Sequence, residues 1–256
     1  VKAGAVAIIP ARYASSRLPG KPLLEIAGIP MVVHVMRRAC CARLVSRVIV
    51  ATDDERVAEA VMRHGGQAQL TSPEARSGTD RVAEVAASFD PQQIIVNLQG
   101  DEPLIDPVTI DAAIEPLLED PQLQMSTTSE PIVRAEDIFD PNVVKVVTDL
   151  RGFALYFSRS PVPHIRSGQG LQEALRRDPG LLSCYRKHSG LYAYRNRWLQ
   201  ELAAMEQSPL ERLESLEQLR ALENGLAIRV VAVDHSSIGV DTERDYQRVK
   251  ALMEGV

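Results

Sequence analysis

The chain is poor in the features that would assign it to several broad classes. It has three cysteines in 256 residues, Cys40, Cys41 and Cys184. The odd count and the lack of any CxxC spacing exclude a disulfide framework and a zinc or thiol-redox motif, and point to free thiols in a reducing compartment acting as small hydrophobes. No apolar run approaches the roughly 20 residues needed to span a bilayer. The first strand-like segment runs straight into a charged loop instead of a cleavage site, so no secretory signal is expected and a cytoplasmic location is. With a formal net charge of -5 the chain lacks the basic excess of a nucleic-acid or membrane binder, and neither is an expected partner. Internal repeats and low-complexity tracts are absent. So are two glycine fingerprints: there is no GxGxxG, and the one Gly-Lys pair near the N-terminus fails as a P-loop. Ser15 stands where the first glycine belongs, and Pro22, with neither N–H nor hydroxyl, stands where Ser/Thr belongs.

What is present is an ordinary globular composition, 45% hydrophobic and 25% charged, enough to bury a core without staples. The first half alternates strand-like and helix-like segments. Strands are expected at Ala5–Ile9, Arg47–Ala51, Ala68–Leu70 and Ile94–Leu98. Helices are expected near Met31–Ala42, Asp53–His64, Thr79–Ser88 (capped by Thr79) and Pro107–Glu119. This alternation predicts an α/β fold, a mixed but mostly parallel sheet sandwiched by helices, with ligands beyond the carboxyl ends of the strands. After about Gln124 the pattern becomes β-rich. Val143–Asp149 and Phe153–Ser158 flank a turn at Leu150-Arg151-Gly152, Lys187–Arg195 is strand-like, and helices follow near Trp198–Met205 and Leu210–Glu223. Ala227–Val233 is a late strand, and Thr242 caps a last helix. The chain reads as one domain in three parts: 1–123 as an α/β half, 124–225 as a β-rich insertion shaping a second pocket and a dimer interface, and 226–256 as a return strand and helix. Leu213, Leu216, Leu219, Leu222 and Leu226 read as core.

Three loops carry chemistry. The stretch Arg12-Tyr13-Ala14-Ser15-Ser16-Arg17-Leu18-Pro19-Gly20-Lys21 holds three cations, and the first acidic residue of the chain is Glu25. A basic, carboxylate-free loop after a buried strand suits a polyanion such as a nucleoside triphosphate; the plain alternative is a solvated basic loop. Gln99-Gly100-Asp101-Glu102-Pro103 follows the strand 94–98, with Gly100 allowing a ligand close to the backbone and Asp101 placed to hold a hard cation; the alternative is a simple strand-ending turn. Gly239-Val240-Asp241 offers a second carboxylate, or only a helix-start aspartate. Two aspartates facing a triphosphate loop would form a magnesium site. His34, His64, His164 and His235 show no ligand spacing and receive no role.

With these residues in view, the chain resembles the 3-deoxy-manno-octulosonate (Kdo) cytidylyltransferases. The resemblance rests on Ile8 to Leu23, Val50-Ala51-Thr52-Asp53, Ser77-Gly78-Thr79-Asp80-Arg81, Val96 to Pro103, Pro141 to Val147, Ala154 to Arg159, Lys187 to Arg195, Ser208 to Glu211, Leu216 to Arg220 and Gly239 to Thr242, in order from end to end. It implies a Rossmann-like nucleotidyltransferase fold and a homodimer. It implies that CTP and Kdo give CMP-Kdo, the activated sugar of lipopolysaccharide synthesis, and pyrophosphate, with Mg2+ as cofactor. Lys21, Asp101 and Asp241 match the catalytic positions, Asp101 and Asp241 as metal ligands. Arg12, Arg17, Lys21, Ser77, Gly78, Thr79, Arg81 and Gln99 fall on the CTP side. Gln99, Arg159, His188, Tyr192, Glu214 and Gln218 are matched to the sugar, with Glu214 and Gln218 four apart on one helix face. Two departures stand out: Ser189 where a larger apolar residue is expected, and Asp80 where many relatives carry Glu. Alternatives are a cytidylyltransferase for 8-amino-Kdo or sialic acid and a non-catalytic nucleotide-binding homologue; an oxidoreductase is disfavoured by the missing glycine fingerprint.

Overall fold

The computed structural model describes residues 4–14, 18–166, 168, 170–234 and 237–255. The first strand, β1 (Ala5–Ala11), shows why the sheet is covered twice. Side chains alternate across a strand, yet here both sets are apolar, so both faces must find a partner. Ala5, Ala7, Ile9 and Ala11 enter one core, and Val6 and Ile8 enter another. After a two-residue hairpin, β2 (Glu25–Ile26) and β3 (Ile29–Pro30), the chain forms α1 (Met31–Cys41), β4 (Val45–Thr52), α2 (Glu55–Arg63) and β5 (Gln67–Leu70). Next come α3 (Gly78–Ala86), β6 (Ile94–Asn97), α4 (Pro107–Glu119) and β7 (Met125–Pro131). Helices α1, α2 and α4 cover the first face with Val32, Met36, Val57, Ile110 and Ile114; α3 covers the second with Val82, Val85 and Ala86.

The second half contributes α5 (Ala135–Phe139), β8 (Lys145–Thr148), β9 (Ala154–Ser158), α6 (Leu171–Arg177), β10 (Arg186–Arg195), α7 (Asn196–Ala204), α8 (Pro209–Glu214), α9 (Gln218–Glu223), β11 (Ile228–Ala232) and α10 (Glu243–Glu254). The main sheet runs β11-β7-β10-β6-β1-β4-β5, with the β8–β9 hairpin attached to β10. Pairings β1–β4, β1–β6, β4–β5 and β7–β11 are parallel, whereas β10 is antiparallel to both neighbours. Three strands encoded after residue 124 therefore complete the main sheet. What stands apart is a small core of Ile132, Ile138, Leu175 and Tyr185. Among the described residues no helix is long and apolar enough to cross a membrane.

Several expectations change. β7 is absent from the sequence pattern because its residues, Ser126 to Glu130, are polar although all are buried. Hydroxyl bonds explain this: Thr127 Oγ1 donates to the Leu191 carbonyl at 2.7 Å, and Ser189 Oγ donates to the Thr128 carbonyl at 2.9 Å. Ser189 is thus polar because its neighbour across the sheet is a buried threonine. The helix expected over 210–223 is two helices, broken where Ser215 adopts φ 52°. Leu213 is consequently exposed, not core, while Leu216, Leu219 and Leu226 are buried. Ser77, not Thr79, caps α3, its side chain accepting from the Asp80 N–H. The three cysteines are free as expected but exposed, so they are not core hydrophobes.

Helices α7, α8 and α9 are locked by an ion pair. Arg220 donates through Nε to Glu211 at 2.7 Å and through a terminal nitrogen to the other carboxylate oxygen at 2.5 Å, and also to the Leu202 carbonyl at 3.0 Å, with both residues buried. Removing one partner of such a pair strands the other charge. Arg220→Met is expected to lower unfolding free energy by roughly 3–5 kcal/mol, and the double variant Arg220→Met/Glu211→Leu by clearly less. Urea denaturation of the two proteins measures the difference.

Candidate active site

Parallel strands release their connections at one edge, so the loops after β1 and β6 emerge side by side. The loop after β1 closes on itself, the Gly20 N–H donating to the Tyr13 carbonyl at 3.2 Å with Gly20 at φ 70°. A 3-10 turn at Lys21–Leu23 follows. Arg12 donates to the Ala75 carbonyl at 2.5 Å, tying this loop to the connection between β5 and α3. Arg17 lies outside the described residues. After β6, Gly100 lies so close to β1 that a Cβ there would sit 2.9 Å from the Pro10 carbonyl oxygen. Its missing side chain serves that backbone contact. The Asp101 carbonyl accepts from the Val240 N–H at 2.9 Å, which brings the third loop in beside the other two.

At the meeting point Lys21 Nζ lies 2.6 Å from Asp101 Oδ2, 3.2 Å from Asp241 Oδ1 and 2.9 Å from the Val240 carbonyl oxygen. Burial works against the lysine charge, but the two carboxylates outweigh it and hold its pKa above the ordinary value. The Lys21 side chain is 17% exposed, against 27% for Asp101 and 51% for Asp241, so the cluster opens to solvent on the carboxylate side. Two aspartate oxygens thus converge on one cationic point. No group of three or more His, Cys, Asp or Glu able to hold a metal occurs among the described residues. This donor set fits magnesium, which takes one or two carboxylates and completes its shell with phosphate oxygens and water.

Among the residues expected to meet CTP, the hydroxyl of Ser77 caps α3, Gly78 packs on Pro10, and Thr79 Oγ1 accepts from Asn97 Nδ2 at 3.5 Å. Gln99 Nε2 donates to the Gly190 carbonyl at 3.2 Å. Arg81 is fully buried, with its guanidinium bound to Asp53 at 2.8 Å and to Thr71 Oγ1, so it braces the strand ends, while its Nε is buried without a hydrogen-bond partner. Asp80, a carbon shorter than the expected Glu, pairs with Arg76 at 3.0 Å.

The residues expected to meet the sugar divide. Arg159 donates to the carbonyls of Glu214, Pro141 and Ser215, while the Glu214 carboxylate accepts from Ser158 Oγ and the Arg159 N–H. These two residues hold the end of β9 against the α8–α9 break, and the break removes the helix face that Glu214 and Gln218 were expected to share. His188, Tyr192 and Gln218 are different. His188 Nε2 is 3.0 Å from Thr127 Oγ1, and its ring packs at 4.9 Å on Phe157 and 5.2 Å on Tyr192. Tyr192 Oη and Gln218 Nε2 are buried without a hydrogen-bond partner, as is Oδ1 of Asn97, the register partner of Tyr192. Unspent buried polar atoms of this kind are what a polyhydroxylated ligand would satisfy. Asn97 is the residue the sequence reading passes over. Its one signal is an amide inside the apolar run Ile94 to Leu98.

With this geometry in place, likeness to known proteins becomes informative. The Cytidylyltransferase family profile matches residues 6–229. A 3-deoxy-manno-octulosonate cytidylyltransferase of Syntrophotalea carbinolica is 54% identical over 250 residues, covering 98% of each chain. That of Geobacter sulfurreducens is 56% identical over 243 residues, 95% of this chain and 96% of the relative. The chain belongs to the 3-deoxy-manno-octulosonate cytidylyltransferase family. A solved CMP:2-keto-3-deoxy-manno-octonic acid synthetase, in complex with CTP, superposes with a TM-score of 0.88 at 43% identity, over 98% of this chain and 99% of the other.

Within this family site, burial pushes the His188 pKa down to about 3 from its ordinary 6.5. A histidine depressed in the folded state contributes stability above its unfolded pKa and loses it as the pH falls toward the folded value. The wild type should therefore lose stability between about pH 6.5 and pH 4 more steeply than His188→Gln, and the His188 ring protons should keep their neutral-ring NMR shifts at about pH 5. A ring titrating near 6.5 would contradict this.

Proposed function

We propose that this chain transfers CMP from CTP to Kdo, releasing pyrophosphate and forming CMP-Kdo. The observation that carries the reading is the meeting of Lys21, Asp101 and Asp241 beyond the strand ends. It unites a cation suited to a triphosphate with two carboxylates suited to a hard metal, in a chain more than half identical to named Kdo cytidylyltransferases.

In this reading Arg12, Arg17 and Lys21 receive the triphosphate of CTP. The anomeric hydroxyl of Kdo gives up its proton to solvent as its oxygen attacks the α-phosphorus, the bond from the α-phosphorus to the oxygen bridging to the β-phosphorus breaks, and negative charge grows on the departing pyrophosphate. Lys21 has three N–H donors on an ammonium that its surroundings keep charged, so it neutralises that charge without a proton leaving it. Asp101 and Asp241 would hold Mg2+, which when bound supplies charge neutralisation at phosphate oxygens and acidifies a nearby hydroxyl. Ser77, Gly78, Thr79 and Gln99 line the nucleoside side, and Arg81 fixes Asp53 and Thr71 behind them. Neutral His188, Tyr192, Gln218 and Asn97 offer both donors and acceptors to sugar hydroxyls, whereas Arg159 and Glu214 shape the wall.

We also infer a homodimer and a cytoplasmic setting. Val133, Leu150 and Leu155 are exposed on the 124–225 segment, which supports self-association there, and sedimentation equilibrium should return twice the chain mass. Three exposed free thiols suit a reducing compartment.

Pyrophosphate release with CTP and Mg2+ tests the reaction. Kdo should support turnover and sialic acid should not; the reverse would reassign the sugar, and 8-amino-Kdo as the better acceptor would refine it. Lys21→Met, Asp101→Asn and Asp241→Asn should each lower turnover by roughly 10²–10³-fold with the fold intact by circular dichroism. Near-normal rates in both aspartate variants would remove the metal role.

A further inference from the structure

Asp241 lies between the end of β11 at Ala232 and the start of α10 at Glu243, where residues 237–242 form neither helix nor strand. Something other than a helix or strand must therefore fix its carboxylate. On its C-terminal side Thr242 and Asp245 form a reciprocal cap of α10. In the middle, Val240 is fully buried with Leu18, Ile26 and Met31, and its N–H is bound to the Asp101 carbonyl. The N-terminal anchor consists of two charged residues with no part in the reaction described above.

Glu130 on β7 and Lys187 on β10 are register partners across the antiparallel pair. Glu130 is 1% exposed, and its Oε2 lies 2.9 Å from Lys187 Nζ. The two then grip opposite sides of one residue of the strap. The Ser237 N–H donates to Glu130 Oε1 at 3.3 Å, and Lys187 Nζ donates to the Ser237 carbonyl at 3.4 Å. Glu102, next to Asp101, reaches the same polar cluster and has one buried oxygen without a hydrogen-bond partner. An ion pair serving only the sheet would have no reason to leave its strands. This one spends an acceptor and a donor on a backbone unit four residues before Asp241.

We infer that Glu130 and Lys187 are positioning residues for Asp241, clamping the 237–241 strap so that its carboxylate stays beside that of Asp101. The inference rests on reading Asp101 and Asp241 as the metal-holding pair. Outer partners of metal-holding groups typically contribute 10–100-fold in affinity. Lys187→Met removes the donor to Ser237 and leaves Glu130 buried without its cation, so the strap loosens at its N-terminal end. Lys187→Arg restores both contacts.

The test is Mn2+ affinity in the presence of CTP and the absence of sugar, read from the electron paramagnetic resonance signal of free Mn2+. Lys187→Met should bind Mn2+ roughly 10-fold or more weakly than wild type, and Lys187→Arg should recover to within about threefold. Glu130→Gln, nearly isosteric, should show a loss in the same direction and serves as the second variant if Lys187→Met does not fold. Thermal melts run alongside. A lower melting temperature with unchanged Mn2+ affinity in Lys187→Met or Glu130→Gln makes the pair a sheet brace and overturns the inference. Should wild type bind Mn2+ no better than Asp241→Asn, the metal reading falls and takes the clamp with it. Should wild type bind better than Asp241→Asn while Lys187→Met matches wild type, the clamp alone falls.

Discussion

Two aspartates held close together repel, and the cation between them is what lets this site exist. Lys21 Nζ reaches Asp101 at 2.6 Å and Asp241 at 3.2 Å, joining residues 80 and 220 positions away in sequence. Each contact depends on a different part of the fold. Lys21 requires the loop closed at Gly20, Asp101 requires Gly100 packed on the Pro10 carbonyl, and Asp241 requires a strap tied to the Asp101 backbone. In the proposed reaction a metal held by Asp101 and Asp241 would supply the counter-charge in place of the ammonium, and Lys21 would turn to phosphate.

The sheet explains how such distant residues meet. β1 and β6 are parallel neighbours and open their loops at one edge, as an α/β sheet does. β10, inserted antiparallel between β6 and β7, runs the opposite way and carries His188 and Tyr192 past the same region. One antiparallel strand in a mostly parallel sheet therefore puts sugar-side candidates beside nucleotide-side loops without a separate domain. Alternate residues of β10 enter the two cores, Leu191 and Ala193 on one face and Tyr192 and Tyr194 on the other, which fixes its register.

Much of this was legible because it obeys simple patterns. β1, Val48–Ala51 of β4 and Ile94–Val96 of β6 are continuous apolar runs, and the helix expected near Pro107–Glu119 is α4. The loops after β1 and β6 could be located because each follows such a strand. What escaped did so for physical reasons. β7 satisfies its buried hydroxyls through neighbouring strands, so its polar sequence has no apolar period to read. The break at Ser215 rests on a left-handed backbone in a non-glycine residue, which composition does not announce. The Glu130–Lys187 contacts with Ser237 join three distant segments and have no local trace.

The candidate site also shows why residue type alone overstates a binding set. Arg81, Arg159 and Glu214 carry charges that a nucleotide or an acid sugar would attract, yet each already spends them on protein partners. Recruiting one of these bonded groups as a ligand contact would first break bonds inside the fold. Tyr192 Oη, Gln218 Nε2 and Asn97 Oδ1 are uncharged, but their desolvation has been incurred without any bond in return. In the proposed reaction a sugar hydroxyl reaching these atoms would gain a hydrogen bond whose desolvation cost on the protein side is already met.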